Sequence, residues 1–226
     1  MHNPLSTGRC FGLSLLAVYA LQIGSNFGLQ PAIRHPGPLG LLQGAAAQPE
    51  LLGGIALLGL LSGVIGLAGN ALLAGWLKGQ RGFVLALLLL GMGGAGLAAS
   101  LAEHAMQLAL RELGQFLAGP PASTDALALQ KLLAALRNGL HLPRMLLGGA
   151  SVLLFFVLAW RVGLLPRALA GLGLLAAASQ MLGVSAGVLG GEVPMALLAP
   201  LALVHLASSL WLLARGFGPA PAPQTP

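Results

Sequence analysis

Apolar residues run in long blocks along this chain, and polar residues fall almost wholly between the blocks. A helix needs about 20 mostly apolar residues to cross the hydrocarbon core of a bilayer. Six stretches meet that length, at about residues 10–32, 51–77, 82–113, 124–160, 167–189 and 194–214. Turn-forming residues separate them. Lys78-Gly79-Gln80-Arg81 reads as a tight polar turn. Gly119-Pro120-Pro121 breaks the chain, and Ser123-Thr124-Asp125 then offers N-caps for a new helix. Residues 161–167 form a short basic loop containing Pro166, and Gly190-Gly191-Glu192 with Pro194 divides the last two blocks. The pattern predicts an all-α integral membrane protein. Residues 1–216 make one bundle of six transmembrane helices, and residues 217–226 form a disordered Pro/Ala-rich tail.

Composition strengthens this reading. Of 226 residues, 57% are hydrophobic and 7% charged, against about 25% charged in soluble domains. With a mean hydropathy of +0.88, there is too little polar surface to cover a water-soluble globule. The pI near 11.2 does not point to nucleic acid, because the eleven Lys and Arg residues are scattered singly or in pairs. They read instead as topology signals. The single cysteine, Cys10, excludes an intrachain disulfide and reads as a small residue at the membrane boundary. No small-x-small cleavage site follows Gly24 at the right distance, so the first block is expected as a retained helix and not a signal peptide.

The charges segregate. Six spans put both termini on one side, together with Arg9, Lys78, Arg81, Arg161, Arg167 and Arg215. All five acids, Glu50, Glu103, Glu112, Asp125 and Glu192, fall toward the other side. The positive-inside rule then places both termini in the cytoplasm. Gly59 with Gly63, and Gly187 with Gly191, form GxxxG pairs of the kind that let membrane helices approach closely.

Ionisable groups inside a bilayer cost about 2.5–3.5 kcal/mol each on insertion scales, which makes them the first functional candidates. The third and fourth helices overrun the membrane on the outer side and carry most of them. His104, Gln107 and Arg111 share one helix face by spacing, as do Arg137, His141 and Arg144. In an antiparallel pair, Glu103 or His104 comes level with residues 138–141, which include Asn138. A salt-bridged cluster of Glu103, Arg137 and Arg144 with two histidines is the expectation. Pro143 removes the backbone bond to the Gly139 carbonyl, so the fourth helix should kink or break there. The cluster reads three ways: as an interfacial anchor, as a ligand pocket open to the outer face, or as metal or haem ligation by His104 and His141. Nearer the midplane, His205 on the sixth span is expected to hydrogen-bond Gln180, Ser208 or a neighbouring helix, with haem ligation, quinone contact or proton relay as the alternatives. Asn70 and Asn26 are expected as interhelical hydrogen-bonding residues. Walker A, GxSxG and CxxC motifs are missing, and the chain is not expected to be an enzyme.

Two stretches carry a family resemblance. Ala159-Trp160-Arg161-Val162-Gly163-Leu164-Leu165-Pro166-Arg167 precedes a Leu- and Gly-rich span, and the last span runs from His205 through Ser208-Ser209-Leu210-Trp211-Leu212-Leu213 to Arg215-Gly216. Both resemble the bacterial six-span membrane family catalogued as domain of unknown function 4386. The resemblance covers about residues 9–216. The family pattern has an acid six residues before the last-helix Trp, where this chain has His205. The resemblance implies the topology and a place in a bacterial inner membrane, and carries no activity. The leading functional expectation is an accessory or assembly subunit of a larger membrane complex, in contact with membrane lipids and partner proteins. The alternatives are a haem- or quinone-binding redox protein using His104, His141 or His205, and a protein that binds or transports a lipid or small molecule.

Overall fold

A computed structural model describes residues 4–33, 40–116 and 124–217. The chain break expected at Gly119-Pro120-Pro121, the cap expected from Ser123 and nearly all of the expected tail lie outside them. Helix α1 (Pro4–Ile23) runs on through a π-helical stretch (Gly24–Leu29) and a 3-10 turn (Gln30–Ile33). There follow α2 (Gly40–Ala47), α3 (Pro49–Trp76), α4 (Phe83–Phe116), α5 (Thr124–Val162), α6 (Arg167–Val188) and α7 (Met195–Arg215). Six of these segments are long and apolar enough to span a membrane, and no strand occurs among the described residues.

Each long helix packs against its sequence neighbours, and α7 closes back on α1. The ends of the chain are thereby brought together. A Cβ on Gly8 would stand 2.0 Å from the Phe217 nitrogen, and one on Gly12 would stand 2.7 Å from the Leu213 nitrogen. Gly216 turns the chain out of α7 at φ 66°, with its N–H on the Leu212 carbonyl at 2.8 Å.

Local sequence sets the helix boundaries. Pro49 opens α3 in its first turn with Glu50 beside it, where a negative charge favours the positive end of the helix dipole. Gly79 and Gly82 take φ values of 75° and 91° in the turn between α3 and α4, a region costly for any other residue. Pro166 and Pro194 immediately precede α6 and α7.

At 34 and 39 residues, α4 and α5 far exceed the 22 and 21 of α6 and α7. At 1.5 Å per residue, α5 is about 58 Å long, nearly twice the hydrocarbon thickness. The excess lies at the end that carries the acids. Helix α5 runs without a break through Pro143. The helix α2 and the π-helical stretch were not foreseen from the apolar pattern. The backbone N–H of Leu42 in α2 donates to Gln130 Oε1 at 3.1 Å, and Gly114 leaves room for the Leu42 carbonyl 2.7 Å from where a Cβ would stand. So α2 lies across the extended α4–α5 pair.

The exterior is apolar. Leu57, Leu175, Leu182 and Leu203 are 68%, 71%, 70% and 72% exposed, which suits surroundings of acyl chains and not of water. Inside, two apolar clusters bracket the bundle. The larger one, at the basic end, centres on Phe11, Leu73, Phe155, Phe156 and Phe217. The smaller, at the acidic end, joins Ile33, Ala45, Leu52 and Ile55. All three tryptophans (Trp76, Trp160 and Trp211) sit in the closing turns of α3, α5 and α7 at the basic end, where an aromatic belt marks a membrane–water boundary.

Candidate functional site: a buried polar cluster between α3, α4 and α5

Beneath the smaller apolar cluster, α4 and α5 bury a group of charges. The Glu103 side chain is 2% exposed. Its Oε1 accepts from His141 Nδ1 at 2.9 Å, and its Oε2 forms an ion pair with Arg144 Nε at 2.5 Å. The register follows from two antiparallel helices in direct contact, with Glu103 facing residues three apart on α5. One turn further toward the acidic end, the Gln107 amide satisfies both of its ends in one orientation. Its nitrogen donates to His104 Nδ1 at 2.8 Å, and its oxygen accepts from Arg137 Nε and Nη2 at 3.3 and 3.2 Å. That arrangement puts the His104 ring proton on Nε2.

Helix α3 supplies the seat for His104. A Cβ on Gly59 would lie 2.1 Å from His104 Nε2, so the imidazole occupies the space a side chain would fill. Ser62, next along the same face, donates to the Gly59 carbonyl at 2.8 Å and accepts from Gln22 Nε2 at 2.7 Å. Asn26 in the π-helical stretch donates to the Gln22 carbonyl and Oε1 at 2.9 and 3.1 Å. A polar belt thus crosses the bundle from α1 through α3 and α4 to α5. Ser100, one turn below Glu103, is also buried, and its hydroxyl has no hydrogen-bond partner among the described residues.

The cluster borders a small cavity of about 50 Å³, lined by Gln107, Arg137, Gln30 and Leu110 and roofed by Ile33 and Leu52. That volume holds a few waters or one small polar group. The π-helical stretch and 3-10 turn place Gln30 on its wall. Single π-turns recur at functional positions in helices because they re-aim side chains.

The sequence candidates divide. Glu103, His104, Gln107, Arg137, His141 and Arg144 come together. Arg111 does not join them: its guanidinium pairs with the adjacent Glu112, at 2.9 Å from Nε to Oε1, and lies against Gly53. Asn138 is exposed, because its position on α5 turns it off the face that carries Arg137 and His141. The hydrogen bond expected from His205 to Gln180 or Ser208 does not form. His205 Nε2 and Gln180 Oε1 are each buried without a hydrogen-bond partner among the described residues. The His205 ring packs instead near Tyr19, centroids 6.2 Å apart, and Ser208 turns its hydroxyl to the Val204 carbonyl. Asn70 makes its interhelical bond, to the Leu89 carbonyl at 3.3 Å, whereas Asn26 bonds within its own helix. Among the described residues, no group of three or more His, Cys, Asp or Glu side chains is placed to hold a metal ion.

Sequence reasoning marks Gly59 as a packing residue but not as the seat of His104, and it misses Ser62, Gln22 and Gln30. A signal existed for two of these: Ser62 is three residues from Gly59 on α3, and Gln22 is a polar residue within an apolar block.

A family model described as a domain of unknown function (DUF4386) matches residues 10–216. Among curated proteins and among solved structures, nothing matches the chain.

Proposed function

Because the chain belongs to the DUF4386 family, whose description names no activity, we propose a function from the site itself: the polar cluster binds a small anion, or the anionic end of a larger molecule, entering from the acidic end. The observation that carries this reading is a guanidinium on the wall of a small polar cavity beside a buried ion pair. Two guanidiniums, Arg137 and Arg144, flank one buried carboxylate, Glu103, and Arg137 stands on the cavity wall with Gln107 and Gln30. Burying such groups in a membrane bundle is costly, and it is the usual mark of a substrate or ion site. Planar guanidinium donors suit a carboxylate or phosphate. The end opposite the cluster carries Arg9, Lys78, Arg81, Arg161, Arg167 and Arg215 with none of the five acidic side chains, which supports placing the acidic end outside the cytoplasm.

The test is thermal unfolding of the detergent-purified protein against acetate, succinate and phosphate. At least one should raise the Tm of the wild type and leave Arg137→Gln unmoved. No shift with any of them, or equal shifts in the variant, would count against the reading.

A second reading, an accessory subunit of a larger membrane complex, draws on one face of α4. Gly91 and Gly94, three residues apart on that face, have open space where a Cβ would stand, and small residues are where membrane helices dock. Purification in mild detergent tests it: a stable chain with no co-purifying protein argues against it.

A further inference from the structure

The basic end carries a second feature, unrelated to the polar cluster. Between the α3–α4 turn and the end of α5 lies a half-open groove of about 680 Å³, lined by Gln80, Arg81, Phe83, Val84, Arg161 and Val162 among others. Arg81 and Arg161 are both exposed. No acidic side chain occurs near them in the sequence, since the five acids of the chain all belong to the other end. Gln80 donates from Nε2 to the Trp76 carbonyl at 3.0 Å, while its Oε1 is buried with no hydrogen-bond partner among the described residues. Gly82 lets the start of α4 approach α5: a Cβ there would lie 2.7 Å from both Leu158 Cδ1 and Val162 Cγ2.

We propose that this groove binds the phosphate of an anionic phospholipid between Arg81 and Arg161. Three observations converge on that occupant. The groove is at the level of the tryptophan belt, with Trp160 adjacent to Arg161, so its mouth is at headgroup depth. Its charge is positive, and no carboxylate among the described residues lines it. Its lower wall is apolar and continues onto the lipid-facing side of α4, where Val84 is 69% exposed, giving an acyl chain a surface to follow. Guanidinium pairs take up phosphate oxygens through several N–H donors at once. The positive end of the α4 dipole adds to the attraction.

Native mass spectrometry of the full chain, released from detergent containing equal phosphatidylglycerol and phosphatidylcholine, tests this. The wild type should retain phosphatidylglycerol in preference to phosphatidylcholine. Arg81→Gln and Arg161→Gln should each weaken retention about fivefold, and the double variant about 25-fold, the effect of removing one and two cationic partners of an anionic headgroup. The control variant Lys78→Gln/Arg167→Gln changes the same net charge at the same end outside the groove, and should retain the lipid. Equal loss in both double variants would reduce the effect to diffuse charge and overturn the site. Undiminished retention in Arg81→Gln/Arg161→Gln would overturn it too, as would displacement of the lipid by millimolar inorganic phosphate, which would make free phosphate the occupant. The single variants keep the test informative if the double variant does not fold.

Discussion

The imidazole of His104 rests on the backbone of Gly59, with Nε2 2.1 Å from where a Cβ would stand. A glycine on α3 therefore sets the position of a polar group on α4, and through Gln107 it sets the position of Arg137 on α5. Three helices are coupled by one missing side chain.

Gly59→Ala should force the imidazole off its seat. Overpacking of this kind costs about 1–3 kcal/mol, read as a lower midpoint of denaturation in mixed micelles. In a His104→Ala background, the same substitution should cost little, because the clash is gone. Equal costs in the two backgrounds would show that Gly59 acts through something other than His104.

Glu103 bonds both His141 and Arg144 through its two oxygens. Glu103→Gln leaves Arg144 in the bundle without its counter-charge and should lower stability by roughly 3 kcal/mol. His141→Gln should cost clearly less, since its side chain is 33% exposed and an amide can still donate to the carboxylate. Denaturation of both variants under one condition checks the ranking. A reversed order would mean that the Arg144 ion pair contributes little.

Asn70→Leu removes the bond to the Leu89 carbonyl. Interhelical hydrogen bonds between membrane helices average about 0.6 kcal/mol, and this one, at 3.3 Å, is long. The expected loss is below about 1 kcal/mol, with no change in ligand-induced Tm shifts, because Asn70 faces Gly93 and not the cavity.

The spans were legible in the sequence because crossing hydrocarbon demands about 20 apolar residues in a row, and that demand is local. The pairing of Glu103 with α5 was also legible. Two sequential antiparallel helices joined near residue 120 fix which residues are level, and His141 lies where that register puts it. Rotation about a helix axis is not fixed by register. That is why Asn138 is expected in the cluster although it faces out. Arg111 shares the face of His104 and Gln107 but lies one turn further along α4, where its guanidinium pairs with Glu112. The partner of His205 depends on how α6 and α7 rotate against each other, and the expected bond to Gln180 did not follow from depth alone. The helix α2 is too short and too much like its apolar neighbours to stand out, and it is held by a distant contact with Gln130. The π-helical stretch has no pattern of its own, since GSNFGL would serve equally as a loop.

The account depends on a bundle that crosses the membrane with its polar cluster opening at one face and its acid-free basic turns at the other. Cysteine labelling in right-side-out membrane vesicles tests this most directly, using Glu192→Cys and Gln80→Cys in a Cys10→Ser background. An impermeant maleimide should modify position 192 in intact vesicles and position 80 only after the membrane is opened. Labelling of position 80 in intact vesicles, or of both positions alike, would contradict the account.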